Sequence, residues 1–551
     1  MKTSIIFNIK RLSLLMVTAA MGLSSCTGNF EELNSNPTGL GVADLPLSTY
    51  FNEPQLSIYY NQSNGNWEYQ LIQNLNADLY SGYLAVPTAF ASNNNNSLYY
   101  MVDGWNSLRL NYGLLHVMKP VSNILKSTAE PDYIAIAKIL RVAGMSKVTD
   151  VYGPIPYSKS MQGGLSVEYD SQEDIYKSFF ADLEESINAL TAFVDANGDQ
   201  SSRLTFDKMC GRRHTTWLRF ANTLRLRLAM RVVKVAPALA KAQAEAAVAN
   251  KYGVLTAVDV NIEVKDANTR NPLMIIARDY NDCCIGASFE SILKGYNDPR
   301  LTKMVLPVGW KLDSNKQQID ITDKNGKATN SIGEVHGIRN GFSVPSSAVY
   351  KMYSIPKVEI GTTVLSDKYP LPIMKVAEAY FLRAEGALRG WAMGGNAESL
   401  YNEGIRVSLA EYGVEASYND YVNDNTRMAQ DYVDPYNSEL NIAAMNNVTV
   451  KFGGDNETKL QKIITQKWIA MFPEGQEAWS EFRRTGYPKL FPIVENRSAG
   501  SVAKGDFIKR LPFCLDERDN NPAGVASGVA LLGGADNIGT RLWWDVQKGN
   551  F

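Results

Sequence analysis

The chain has 551 residues, 45% of them hydrophobic and 20% charged, and its 55 basic and 57 acidic side chains leave a net charge of −2. A balance so close to neutral excludes a general nucleic-acid binder, which needs a basic footprint on the phosphates, and a mean hydropathy of −0.21 excludes a polytopic membrane protein. Aromatics at 10% exclude disorder as the main state, while 3 histidines and 5 cysteines restrict catalytic readings from the outset.

The N-terminus reads as an export signal. Lys2, Lys10 and Arg11 precede a short apolar run, Leu12 to Leu23, and the run ends in Leu23-Ser24-Ser25-Cys26. A run this short cannot span a bilayer, which takes ~20 residues, but it fits the apolar core of a secretory signal. The small residues leading into a cysteine resemble a bacterial lipobox. Residues 1–25 are therefore expected to be removed, and Cys26 to be the lipid attachment point. Several acyl chains, at ~0.8 kcal/mol per buried CH₂, anchor firmly where one does not. Residues 26–40, polar and acidic, would be the tether, and 41–551 a single body.

Beyond the tether the pattern is mainly helical. Leu108–Lys126, Tyr133–Val148 and Ile175–Leu190 carry apolar residues at i, i+3, i+4. Trp217–Lys234 has a core face of Leu218, Ala221, Leu224, Leu228 and Val232. Its basic residues Arg219, Arg225, Arg227, Arg231 and Lys234 read as a solvated or ion-paired face. Pro237 opens the next helix, running to Asn250. Met374–Trp391, Ala397–Tyr412 and Leu460–Phe472 follow. Trp105, opening a helix, is assigned to the core. Ala91–Ser97 and Lys311–Gly333 read as loops, and Met304–Leu306 as a short strand cut off by Pro307. From Phe381 to Gly404, small and large residues sit at tetratricopeptide offsets around a Gly394-Gly395 turn, without a clean second copy. Length alone suggests three or four domains or a single large one. The helical-pair signal favours a partly repeated scaffold with long loops.

Catalytic and metal constellations are not evident. His116, His214 and His336 are far apart in sequence, and no HExxH, GxSxG, complete Walker A or CxxC occurs. Cys210, Cys283, Cys284 and Cys514 read as buried free thiols or one incidental pair. Asp195-Ala-Asn-Gly-Asp199 alternates oxygen ligands as calcium loops do, but Gln200 stands where glycine is needed, so a helix-ending turn is expected. Glu474, Glu477 and Glu481 share one helical face; an exposed, ion-paired face with Arg483 or Arg484 is expected over a glycosidase acid pair. No cofactor or metal is expected.

Several segments together resemble the SusD/RagB family of nutrient-binding outer-membrane lipoproteins. They are Asn29-Phe-Glu-Glu-Leu-Asn-Ser-Asn-Pro37, Asp150-Val-Tyr-Gly-Pro-Ile-Pro-Tyr157, Trp217 to Arg231, Tyr296-Asn-Asp-Pro-Arg300, Ala377 to Trp391, Ile464 to Phe472 with Glu477-Ala-Trp479 and Phe482 to Pro488, Arg510-Leu-Pro-Phe513, and Trp543-Trp-Asp545. They run through the whole mature chain. Residues 207–216 before Trp217 lack the expected Gly-Asp, and Phe513 stands where tyrosine is frequent.

The resemblance implies a mainly α, tetratricopeptide-like scaffold with long loops and a few short strands forming a binding face. It also implies a non-enzymatic lipoprotein facing the cell exterior. Such a protein would capture a glycan, or a peptide, and deliver it to a SusC-like TonB-dependent barrel. The alternative is a lipid-anchored glycan-degrading enzyme. A saccharide site needs a flat aromatic among polar groups, which singles out Trp67, Tyr99, Tyr100 and Trp310 as candidate ligand contacts.

Overall fold

Helix pairs dominate the architecture, and their ends follow local chemistry. The computed structural model describes residues 46–58, 66–164, 166–264, 271–345, 348–357 and 371–551. The signal segment, Cys26 and the tether lie outside the described residues. From Ser48 onward the chain forms one compact unit.

In chain order, the longer helices are α1 (Leu47–Ser57), α2 (Lys119–Ser127), α3 (Pro131–Tyr152), α4 (Gln172–Asn197), α5 (His214–Arg231), α6 (Pro237–Ala249), α7 (Ala287–Gly295), α8 (Val376–Leu388), α9 (Ala397–Glu411), α10 (Asn456–Met471), α11 (Gly475–Thr485) and α12 (Pro522–Leu532). The expected Leu108 helix is interrupted: an α turn at Leu108–Tyr112 passes through a π-helical stretch, Gly113–Met118, before α2. There a Cβ on Gly113 would lie 2.7 Å from Val148, so the missing side chain lets this run approach α3.

α4 shows how sequence sets the ends. The Ser171 hydroxyl accepts from the Asp174 amide, and Gly198, at φ 67°, closes the helix. The Asp195–Asp199 segment is thus a helix end; Asp199 accepts from the Thr215 amide at 2.9 Å and from Arg213 Nε at 3.0 Å. Ile175, Phe179, Leu183, Ile187 and Leu190 all point into the core.

α3 packs on α4, α5 on α6, and α8 on α9, with α10 against α8. The α8–α9 pair is the tetratricopeptide-like one. Met374, expected to open a helix running to Trp391, instead ends strand β6 (Leu371–Met374), which pairs antiparallel with β2 (Ile262–Val264); α8 starts only after Lys375.

The basic residues of α5 are ion-paired, one of the two states expected for them, and most of them are buried. Arg225, Arg227 and Arg231 are buried, the last fully. Arg227 makes a bidentate pair with Glu378 at 2.7 and 2.6 Å. Arg231 meets Asp150 at 3.2 Å, Glu481 at 2.6 Å and Glu477. The Glu474–Glu481 face is likewise buried, not exposed. Glu474 pairs with Lys147 at 2.7 Å, and Glu481 takes Arg484 at 2.7 Å and Lys467 at 3.2 Å. Despite its burial, Glu481 is held well below the usual carboxylate range by Arg484, Lys467 and Arg231. A charge without its partner here would be strongly destabilising.

Candidate functional site

Two tiny ladders build one corner of the loop face. β1 (Leu84–Ala85) pairs antiparallel with β3 (Cys284–Ile285), and β4 (Val305–Leu306) with β5 (Ile355–Pro356). The Ile285 amide donates to Ser354 O at 2.9 Å and joins them. In an antiparallel pair, residues leaving one strand stand beside those entering the other. Thr88, after β1, therefore meets Asp282, before β3: its Oγ1 donates to Asp282 Oδ1 at 2.7 Å. Trp310, after β4, meets the approach to β5: its Nε1 donates to Tyr353 O at 2.9 Å.

Asn281 ties the two ladders together. Its side-chain oxygen accepts from Lys311 Nζ at 2.6 Å and its nitrogen donates to Lys351 O at 3.3 Å. Lys351 Nζ lies 3.7 Å from Asp282. Partial burial and the neighbouring Lys351 hold Lys311 below the usual lysine range.

The asparagine run follows Thr88 in the chain. Ala91, Ser92 and Asn93 all take left-handed backbone angles, φ 49°, 53° and 66°. Such conformations cost energy outside glycine and persist only where surrounding contacts enforce them. Here Asn93 enforces them: its Nδ2 donates to Val344 O at 3.1 Å and its Oδ1 accepts from the Val344 amide at 3.0 Å. Arg497 clamps the same loop, donating to Asn93 O at 3.0 Å, Asn94 Oδ1 at 2.9 Å and Ser343 Oγ at 2.7 Å. Asn96 is fully buried and donates to Asn76 and Asn106. The run is a fixed structure that sets Phe90 edge-on to Trp105, with ring centroids 6.0 Å apart.

The sequence candidates meet different fates. Trp310 is half-buried and belongs to this cluster. Tyr100 is exposed. Trp67 is exposed too, on a short helix, Asn66–Tyr69, that packs against the Pro272–Asp279 segment. Tyr99 is instead buried, at 3%, with its ring edge-on to Tyr80 at 6.1 Å; it is a packing residue because its backbone, at φ 60°, turns the ring inward. Trp105 is half-buried rather than core, because its short helix, Asp103–Asn106, lies in the loop region. Thr88, Asn281, Asp282 and Lys351, which the structure brings into this cluster, are not among the sequence candidates. The stretch Arg278-Asp-Tyr-Asn-Asp282, a tyrosine among polar residues, carried the same signal as the candidates that were named.

This face combines groups of the kinds that suit recognition. An indole offers an apolar surface to C–H groups, while Asp282, Lys311, Lys351, Asn281 and Thr88 mix donors and acceptors. Cys283 and Cys284, just below, are free and buried, and burial pushes both thiols up, away from the reactive thiolate. His336 is held down to about 4 by burial and Lys294, so it is neutral at physiological pH.

Residues 29–545 match the model of a family described as SusD-like, the SusD and RagB outer membrane lipoproteins. The fold is similar to a solved chitin-binding SusD homologue from Flavobacterium johnsoniae, with 42% identity, a TM-score of 0.83, and 92% of this chain and 100% of that one covered. It is also similar to SusD homologues from Bacteroides vulgatus (33% identity, TM-score 0.82, covering 92% and 98%) and Bacteroides uniformis (32%, 0.79, covering 91% and 99%). No curated protein matches the chain.

Proposed function

The chain belongs to the SusD/RagB family of outer membrane lipoproteins, and from that membership we propose that it captures a glycan on the loop face around Trp310 and Asp282 and hands it unchanged to a SusC-like TonB-dependent barrel. Lipidation of Cys26 would hold it to the outer membrane, on the outer side, with 26–40 as tether and the rest as one binding body. No helix among the described residues is long and apolar enough to cross a membrane, which agrees with a lipid anchor.

The observation that carries the reading is the likeness, over almost the whole chain, to a homologue that binds chitin. The Trp310 cluster supplies what such a ligand needs. Its indole suits the C–H face of a sugar ring, and the surrounding amide, carboxylate and ammonium groups suit hydroxyls and N-acetyl groups. The glycosidase alternative loses its best acids, because Glu474, Glu477 and Glu481 are buried in ion pairs.

The test is calorimetric titration of the protein with chitohexaose and with a panel of other oligosaccharides and peptides. Saturable glycan binding without turnover, weakened about tenfold or more by Trp310→Ala, supports the reading. Product formation, or binding of peptides alone, overturns it.

A further inference from the structure

A concave site lies on the helical scaffold and shares no residue with the loop face. It is a cleft of about 530 Å³ between α2, α3, α4 and the loop after Pro156. Met118, Leu125 and Met161 give it an apolar wall. Tyr157, at 5% exposure, lies edge-on to Phe179, and its hydroxyl sits beside Arg141 and Asp182 without a well-formed hydrogen bond. A buried hydroxyl left in that state is costly unless something else satisfies it.

The polar groups around it are complementary in kind. Arg141 spends Nε and Nη2 on Asp182 Oδ2, at 3.2 and 2.6 Å, which fixes the guanidinium and leaves Nη1 to donate. Lys126 lines the same cleft and is exposed, with no acid at ion-pair distance among the described residues. Three of the four lining serine hydroxyls have already donated: Ser158 to Asp170, Ser160 to Pro156 O, and Ser178 to Asp174 O. Their lone pairs remain as acceptors. Among the lining residues two cations, Lys126 and Arg141, face one anion, Asp182; Asp170 and Glu185 lie just behind, with Lys138 paired to Glu185 and 3.8 Å from Asp182, so Lys126 is the cation left without an acid among the described residues.

We infer that this cleft binds a saccharide unit bearing a carboxylate, with the carboxylate on Arg141 Nη1 and the Tyr157 hydroxyl and the ring hydroxyls on the serines. The carboxylate offsets the extra cation of the lining and offers the Tyr157 hydroxyl a better-placed acceptor than Asp182. Ring hydroxyls donate to the serine oxygens, and the C–H face lies on the methionine and leucine wall. The reading stands whether or not the loop face binds glycans.

The probes are sodium D-glucuronate, its neutral methyl ester, and sodium acetate, titrated into the full mature chain and followed by ligand-observed NMR. Glucuronate is expected to bind at least tenfold more tightly than the ester or acetate. Tyr157→Phe, which removes one oxygen, should weaken it about fivefold, and Lys126→Ala about threefold. Trp310→Ala should leave it unchanged. Because Lys126 is exposed, its variant keeps the test decisive should Tyr157→Phe lower the melting temperature. No glucuronate binding, equal binding of acetate, insensitivity to both cleft variants, or loss on Trp310→Ala would each overturn the assignment.

Discussion

A Cβ placed on Gly404 would lie 2.9 Å from the Cε1 and Cζ atoms of Phe381, so the ring fills the space that glycine leaves open between α8 and α9. Tyr401 completes the contact, its centroid 6.1 Å from that of Phe381. This is the relationship behind the small-and-large spacing in the sequence. Gly404→Val should lower the unfolding free energy by about 2 kcal/mol, because overpacking forces helix or ring to shift. Shortening the ring in the same chain, with Phe381→Leu, should recover part of that loss in urea unfolding, since the two residues touch.

Arg231 is surrounded by Asp150, Glu477 and Glu481, all buried. Arg231→Met leaves Asp150 without its ion pair and Glu477 and Glu481 with only their remaining cations, Lys467 and Arg484 among them, and should cost about 3–5 kcal/mol. Adding Glu477→Met removes one of the under-compensated charges and should restore part of the stability. A double variant less stable than the sum of the singles would contradict the charge-pairing account.

Asp78 sets a pH dependence of unusual sign. Burial first, then the neighbouring Glu474 carboxylate, raises it from 3.8 to about 7, against hydrogen bonds from Gln73 and Tyr69. The native state therefore keeps a proton that the unfolded chain releases in that window. Asp78 costs nothing below about 3.8, costs progressively more as pH climbs toward about 7, and costs a constant amount above it. Asp78→Asn should be nearly neutral at pH ~4 and clearly stabilising at pH ~8. Urea midpoints at the two pH values check this, and an equal effect at both would refute it.

Asn93 holds the left-handed Ala91–Asn93 turn through two bonds to Val344. Asn93→Ala removes both and should weaken oligosaccharide binding on the loop face about tenfold, while the melting temperature moves little because the turn lies outside the helical core. Asn93→Gly tolerates the backbone angle but not the bonds, so it should bind no better than the alanine variant. Recovery of binding by glycine would mean that backbone freedom, not the Val344 bonds, matters.

The helices were legible because their signal is local. The apolar residues of α4 recur every turn, and Ser171 and Gly198 mark its ends. The partners of α5 were not legible: Arg231 is neutralised by residues at 150, 477 and 481, and nothing near it announces burial. The loop face was harder still. Its corners are delivered by strands two residues long; the one at Val305–Leu306 shows in the sequence as the Met304–Leu306 run ended by Pro307, while those near 85, 284 and 355 are too short for any alternation to show. Tyr99 and Tyr100 share one sequence context, yet one is core and the other exposed, because a single positive φ turns the chain between them. The family resemblance, by contrast, rests on residues such as Trp479 and Arg484 that the structure shows to be fully buried.

The buried charges also decide how the scaffold assembles. Asp150 comes from α3, Arg227 and Arg231 from α5, Glu378 and Glu385 from α8, Lys467 from α10, and Glu481 and Arg484 from α11. In an open solenoid each repeat can fold on its neighbour alone, and the array can be shortened one unit at a time. Here any helix pair folded alone would expose or strand part of a shared charge balance. The helices therefore check one another's presence, and a chain cut at any pair boundary should fail as a whole rather than fold in part.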